Sequence, residues 1–419
     1  MRSIFKNREK GVILFLVVLF ISIFFLLTVP FLIHLTAKFR LTEKSYRSLA
    51  ALNLAEAGVE RAIWEVNHGD ISSWAGDQTE RSIVLSSFRA SSGNDIGDVE
   101  IKVLNPRSEN PVVIARGSVR EGKKKVDRTV KAVLAHGFES FFNFGIFGDK
   151  GFNLHGNVHT DSYNSLLGSY DPLHPGSYGD VGTNATDRGN VALLNNTVVN
   201  GNVITGYQTD PQIVVQLKNN ARITGVWTAL EQPKRLPVYE PPASLPERGH
   251  FRLAAGSSEV EIRESGQYSS FIMDSNTAVS ISGKVMLYIK GPFLMSGNSQ
   301  MNITPGSDVE IVLGSGIFEQ HSHSAIHNLT QNPKKLAILG TSEFHTMVWR
   351  SNTDFYGVIY APAAHIDYNA NHDFYGSLVG RYLTVSSQSG IHYDEALAIW
   401  KKYSVKSQSY VLKSLQKKF

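Results

Sequence analysis

The chain contains no cysteine. That excludes disulfide frameworks, thiol nucleophiles, iron–sulfur clusters and Cys-ligated zinc. It also lacks a Gly-x-Ser-x-Gly elbow, a phosphate-cradling P-loop and a dinucleotide fingerprint. Between Gly11 and Ala37 there is no Asp, Glu, Lys or Arg. A basic face is missing too, although the formal net charge is +4. Residues 1–10 carry four bases and one acid, residues 401–419 carry six bases and no acid, and the rest sums to −5. A slightly acidic body between two basic tips does not offer the contiguous positive surface that phosphate backbones need, so no nucleic-acid partner is expected. What remains is a chain of 419 residues, 42% apolar, long enough for two or three domains with packed cores.

The uncharged stretch is the strongest single signal. Val12–Ile33 reads VILFLVVLFISIFFLLTVPFLI. As a helix it reaches about 33 Å, enough to cross a hydrocarbon layer of ~30 Å. A cleaved secretory signal has a shorter apolar region and an A-x-A-like site, which Leu35-Thr36-Ala37 fits poorly. The pattern therefore predicts a single-pass anchor. Lys38, Arg40, Lys44 and Arg47 follow the span and compete with the N-terminal bases in setting its orientation. The short N-terminus is placed in the cytoplasm and the body outside the inner or cytoplasmic membrane.

Leu49, Leu52, Ala55, Val59, Ala62, Ile63 and Val66 recur at steps of three and four, with no proline between His34 and Val66. That is one helical stripe, so residues 12–66 are predicted to form a continuous transmembrane and amphipathic rod.

Arg8-Glu9-Lys10-Gly11 followed by Val12-Ile13-Leu14 resembles a class III signal peptide, the N-terminus of type IV pilins and type II secretion pseudopilins. The run from Ala51 to Ala62, ALNLAEAGVERA, is similar to the helix of PilX-type and K-type minor pilins. The resemblance covers residues 1–66. It implies cleavage by a prepilin peptidase between Gly11 and Val12, helix packing through Ala55, Glu56 and Gly58, and other pilins or pseudopilins as partners. Most pilins carry a glutamate at the fifth mature position, and here that position is Leu16. The departure resembles minor, tip-type pseudopilins.

Beyond the helix, Ser82–Ser86, Asp98–Leu104, Pro111–Arg120 and Lys125–Leu134 alternate as strands and predict a small antiparallel sheet, with Arg120–Lys124 as a polar turn. Glycine then becomes frequent: 27 of the 35 glycines lie in residues 137–395. Short apolar runs alternate there with Gly-Asn pairs at 156–157, 189–190, 201–202 and 297–298, residues that tolerate the left-handed backbone of tight corners. One repeat is explicit. Asp354-Phe-Tyr-Gly-Val-Ile-Tyr360 recurs 19 residues later as Asp373-Phe-Tyr-Gly-Ser-Leu-Val379. These features predict a right-handed β-solenoid-like body. The segment from Gly357 to Ala396 resembles an uncharacterised bacterial domain found behind PilX-type N-termini, with a stacked-strand character like that of bactofilins. Residues 229–249 hold five of the fifteen prolines and read as an extended loop crossing the body or as a seam between two halves. Leu397, Trp400, Tyr403, Val411, Leu412 and Leu415, spaced among lysines, suggest a basic amphipathic C-terminal helix.

The expected class is thus α+β, organised as a leader (1–11), a transmembrane plus amphipathic helix (12–66), a pilin-like sheet (67–136), a solenoid-like domain (137–395) and a C-terminal helix (396–419). No catalytic residue, metal ligand or cofactor is assigned. His321, His323 and His327 have ligand chemistry but lack a carboxylate triad and read as a solvated loop. His345, His365, His372 and His392 read as a structural ladder. Asp354, Asp367, Asp373, Arg350 and Arg381 read as solvent-facing positions rather than an acid–base pair. The sequence favours a minor pilin-like structural component, not an enzyme. The alternatives are a surface-anchored solenoid adhesin or envelope scaffold, with surface glycans as candidate partners, and a glycan-active enzyme.

Overall fold

A computed structural model describes residues 3–89, 95–121, 124–241, 243–321, 323–386 and 388–418. The chain divides into two compact units, residues 1–137 with 406–419, and residues 138–405.

The first unit is built on one helix, α1 (Ser3–His68), which continues through Pro30. Its later half packs on an antiparallel sheet of β1 (Glu80–Arg89), β2 (Asp95–Leu104), β3 (Val112–Glu121) and β4 (Lys124–Ser140). The core has a simple origin. Val99, Ile101, Val103, Val113, Ala115, Val130, Ala132 and Leu134 alternate along their strands and so fall on one sheet face. Ala51, Leu54, Ala55, Val59 and Ala62 fall on one helix face above them. Gly122 and Lys123 of the polar turn lie outside the described residues.

The second unit consists almost entirely of parallel strands. Near its start lies β5 (His159–Tyr163). Then come β6 (Gly266–Met273), β7 (Lys284–Ile289), β8 (Phe293–Met295), β9 (Asp308–Leu313), β10 (Ile317–Gln320), β11 (Leu336–Gly340), β12 (Thr346–Ser351) and β13 (Phe355–Ala370). These last eight close on one another. Pairing runs β6–β7–β9–β11–β13 on one side and β6–β8–β10–β12–β13 on the other, parallel throughout. Closure depends on β6 and β13, long enough for their two ends to take different neighbours. Inside, Phe271, Phe293, Phe318, Trp349 and Phe355 form a column with successive ring centroids 5.3, 5.0, 5.2 and 4.9 Å apart. Leu287, Ile311, Ile338 and Ile359 line up in register as an aliphatic column. β14 (Phe374–Ser386) pairs with β13, and β15 (Gly390–Asp394) joins β14 to β5.

Two expectations are corrected. The chain is mostly β, with one long N-terminal helix and a closed eight-strand parallel barrel, rather than an α+β chain with a right-handed solenoid-like body. Among the described residues there is also no C-terminal helix. Glu395–Leu397 and Lys401–Tyr403 are single 3₁₀ turns, and Ser404–Lys418 is a strand bordering β4 in the first unit. The strand is held by contacts that helical spacing does not reveal. The Asn67 side-chain amide donates to the Tyr410 carbonyl at 2.9 Å and its oxygen accepts from the Tyr410 N–H at 2.7 Å. The His136 ring lies 4.1 Å from that of Tyr410. Leu397 and Tyr403 instead sink into the second unit beside Phe142.

The proline-rich stretch runs without regular structure from Leu230 to Pro246 apart from Pro242, which lies outside the described residues. It is pinned rather than loose. Tyr360 donates its hydroxyl to the Pro237 carbonyl at 2.6 Å. Lys234 is buried, bonded to Glu139 and to the Ser140 carbonyl, both at 3.0 Å. Burial pulls the Lys234 ammonium below its ordinary pKa, and Glu139 opposes that shift.

Candidate functional site

Along Phe15–Ile33 of α1 the apolar side chains are exposed on every side, from Leu19 at 44% to Phe20 at 79%. Water disfavours so much bare apolar surface; a bilayer does not. The stretch contains two hydroxyl side chains, and both bond back to the helix. Ser22 donates to the Val18 carbonyl at 2.8 Å and Thr28 donates to the Phe24 carbonyl. No hydroxyl donor is left for water to satisfy, which is what a lipid-facing segment requires. Among the described residues α1 is the one helix long and apolar enough to cross a membrane.

Gly11 and Val12 lie on the same helical backbone. Leu16 is exposed within the apolar stretch. Ala55 and Gly58 stand where the helix meets the sheet. A Cβ on Gly58 would come 2.9 Å from Val99 Cγ1 and 3.1 Å from Ala115 Cβ, so glycine there sets how closely helix and sheet approach. Glu56 turns outward and pairs with Lys417 at 2.5 Å.

In the second unit the residues with catalytic potential do not assemble as a ladder or an acid–base pair. His365 lies in register between Thr346 and Tyr382, while His372 pairs with Asp354 at 3.3 Å. Arg350 is bound to Asp367 at 2.5 Å. Asp354 and Asp373 hold equivalent repeat positions, but their carboxylates do different work. Asp354 accepts from the Asp373 N–H at 3.2 Å, and Asp373 accepts from the Gly390 N–H at 2.8 Å. His321 reaches Glu319 at 3.7 Å, and His327 lies on a strand beside Asn302. Ser322 between them lies outside the described residues.

Among the described residues one group does bring metal-type ligand atoms together: His159, Asp161 and His392, whose ligand atoms all lie within 4.8 Å of one another. His159 and Asp161 carried no sequence signal, since their partner is more than 230 residues away and only the β15–β5 pairing brings it near. Burial alone would lower the His392 pKa, but its contacts with Asp161 and Asp373 outweigh burial and raise it. Burial and the neighbouring His392 lower that of His159.

Residues 253–399 match a family model described as a Domain of unknown function (DUF7305). No curated protein matches the chain. Among solved structures the chain is similar to the competence-associated pilin ComZ from Thermus thermophilus, at 10% identity over 88% of this chain and 97% of that one, with a TM-score of 0.29. A likeness that slight carries no argument about this chain.

Proposed function

We infer that this chain is a membrane-anchored, pilin-like structural component of a type IV pilus or a type II secretion-like pseudopilus. The observation that carries the reading is α1, one helix whose first half is bare and apolar and whose second half seats on a six-stranded sheet. Such a helix can hold the protein in a bilayer before assembly and pack among other helices afterwards. A prepilin peptidase would cut between Gly11 and Val12. With Leu16 in place of a glutamate, no buried carboxylate is available to pair with a neighbour's N-terminal amine. That favours a minor, tip or initiating subunit over a repeating one. The body would lie outside the membrane, and its role would be structural.

The test is fractionation of cells carrying and lacking the prepilin peptidase. The reading expects the chain in sheared surface filaments only when the peptidase is present, and loss of filaments when the chain is deleted. A chain that stays in the membrane fraction in both strains would instead be an anchored surface protein.

A further inference from the structure

His392 lies on β15, 1% exposed, with both ring nitrogens addressed by the fold. Its Nδ1 is 2.6 Å from Asp161 Oδ1. The other oxygen of that carboxylate, Oδ2, accepts from the Tyr170 hydroxyl at 2.7 Å. Asp161 is therefore fully engaged and holds the proton of the neutral ring on Nδ1, so that in the neutral form the lone pair lies on Nε2. The ring plane is held as well, between Tyr170 at 4.0 Å and Tyr375 at 4.7 Å between centroids.

Nε2 has no hydrogen-bond partner, although it is buried. Asp373 Oδ2 stands 3.4 Å from it, within ion-pair reach but outside hydrogen-bond geometry. Asp373 is held there by its other oxygen, which accepts from the Gly390 N–H. Beside the pair lies Gly390. A Cβ on Gly390 would lie 2.5 Å from His392 Nε2 and 2.7 Å from His159 Nε2. Both Nε2 atoms thus lie within 2.7 Å of one point beside Gly390, the point a side chain there would occupy. Of the two imidazoles, His159 is the one at the surface.

We propose that His159 Nε2, His392 Nε2 and Asp373 Oδ2 bind a divalent late first-row transition-metal ion, with Asp161 orienting His392 from behind. Two imidazoles and one carboxylate suit zinc, cobalt or nickel rather than calcium or magnesium, which take all-oxygen shells. A histidine ligand whose second nitrogen is bound to a carboxylate is the usual supporting arrangement for such ions. The cation also supplies positive charge between two carboxylates that flank one buried ring. Three protein ligands leave coordination positions for water.

The full chain, purified in detergent without a histidine tag and stripped with a chelator, is titrated with Co²⁺ by visible absorption and with Zn²⁺ by calorimetry. One ion per chain is expected, with cobalt absorption of a nitrogen-containing, low-coordinate site. His159→Ala should abolish that binding while keeping the circular dichroism of the parent, since His159 is exposed. Gly390→Ala should also abolish it, because residue 390 is not in the left-handed region and the new methyl takes the point between the two Nε2 atoms, where the atoms it meets are the imidazole rings rather than backbone. Asp161→Asn should weaken it by about 10–100-fold. Absence of binding to the parent chain would overturn the proposal, and so would binding that His159→Ala leaves unchanged, which would place the ion at other histidines.

Discussion

Gly117 of β3 lies directly under Ala51 of α1: a Cβ on Gly117 would stand 2.0 Å from the Ala51 carbonyl oxygen and 2.8 Å from the Ala55 nitrogen. The atoms in the way are backbone, so no rotamer change relieves the clash. Gly117→Ala should destabilise the helix–sheet unit by about 3 kcal/mol, as overpacking of a filled core does. Hydrogen-exchange mass spectrometry on peptides spanning residues 112–121 reads this directly. Exchange in the variant as slow as in the parent would mean that the helix can lift from the sheet without cost.

Asn196 sits at φ 63° and links two corners of the second unit. Its side-chain amide donates to Asn157 at 2.9 Å, and its oxygen accepts from Asn220 at 3.3 Å. Asn196→Ala loses both bonds and strains a left-handed backbone, at about 1–2 kcal/mol. Asn196→Gly loses the bonds but relieves the backbone and should cost less than half as much. Urea unfolding of the two variants separates the contributions. Equal losses would show that backbone handedness is not what asparagine supplies at this corner.

Asp127 provides a pH signature in the first unit. Burial would raise its pKa, but hydrogen bonds from Ser118, Arg116 and Lys125 outweigh burial and lower it to about 2. Since the folded pKa lies below the unfolded one, the contribution to stability is complete above the unfolded value of 3.8 and is lost as pH falls towards 2. Asp127→Asn should therefore narrow the gap between parent and variant Tm across that window. A gap that stays constant from pH 5 to pH 2 would rule out the assigned ion cluster.

How far the sequence discloses this fold depends on how local the determinants are. The three-and-four spacing from Leu49 to Val66 places the packing face of α1, because helical periodicity is written within a few residues. The 19-residue repeat is realised as parallel pairing of Phe355 with Phe374 and Tyr356 with Tyr375, whose rings stack 4.3 Å apart. The Gly-Asn corners reappear as left-handed residues at Gly156, Asn157, Gly189 and Asn298.

Non-local pairing was not legible. Val411, Leu412 and Leu415 read as a helical face because leucine, lysine and glutamine favour helices. A free edge on β4 and the grip of Asn67, 343 residues away, override that preference. Barrel closure rests on β6 and β13 changing neighbours along their length, which no period records. The His159–Asp161–His392 group is hidden for the same reason. His392 reads from the sequence as one member of a ladder, whereas Asp161 and His159 reach it from β5.

The mature N-terminus tests the central claim most directly. Intact-mass and N-terminal peptide analysis of the chain, purified from membranes of cells with an active prepilin peptidase, should give a protein that begins at Val12. In cells lacking the peptidase the chain should retain residues 1–11. A chain that begins at Met1 in both would contradict the pilin-like assignment and leave α1 as an ordinary anchor.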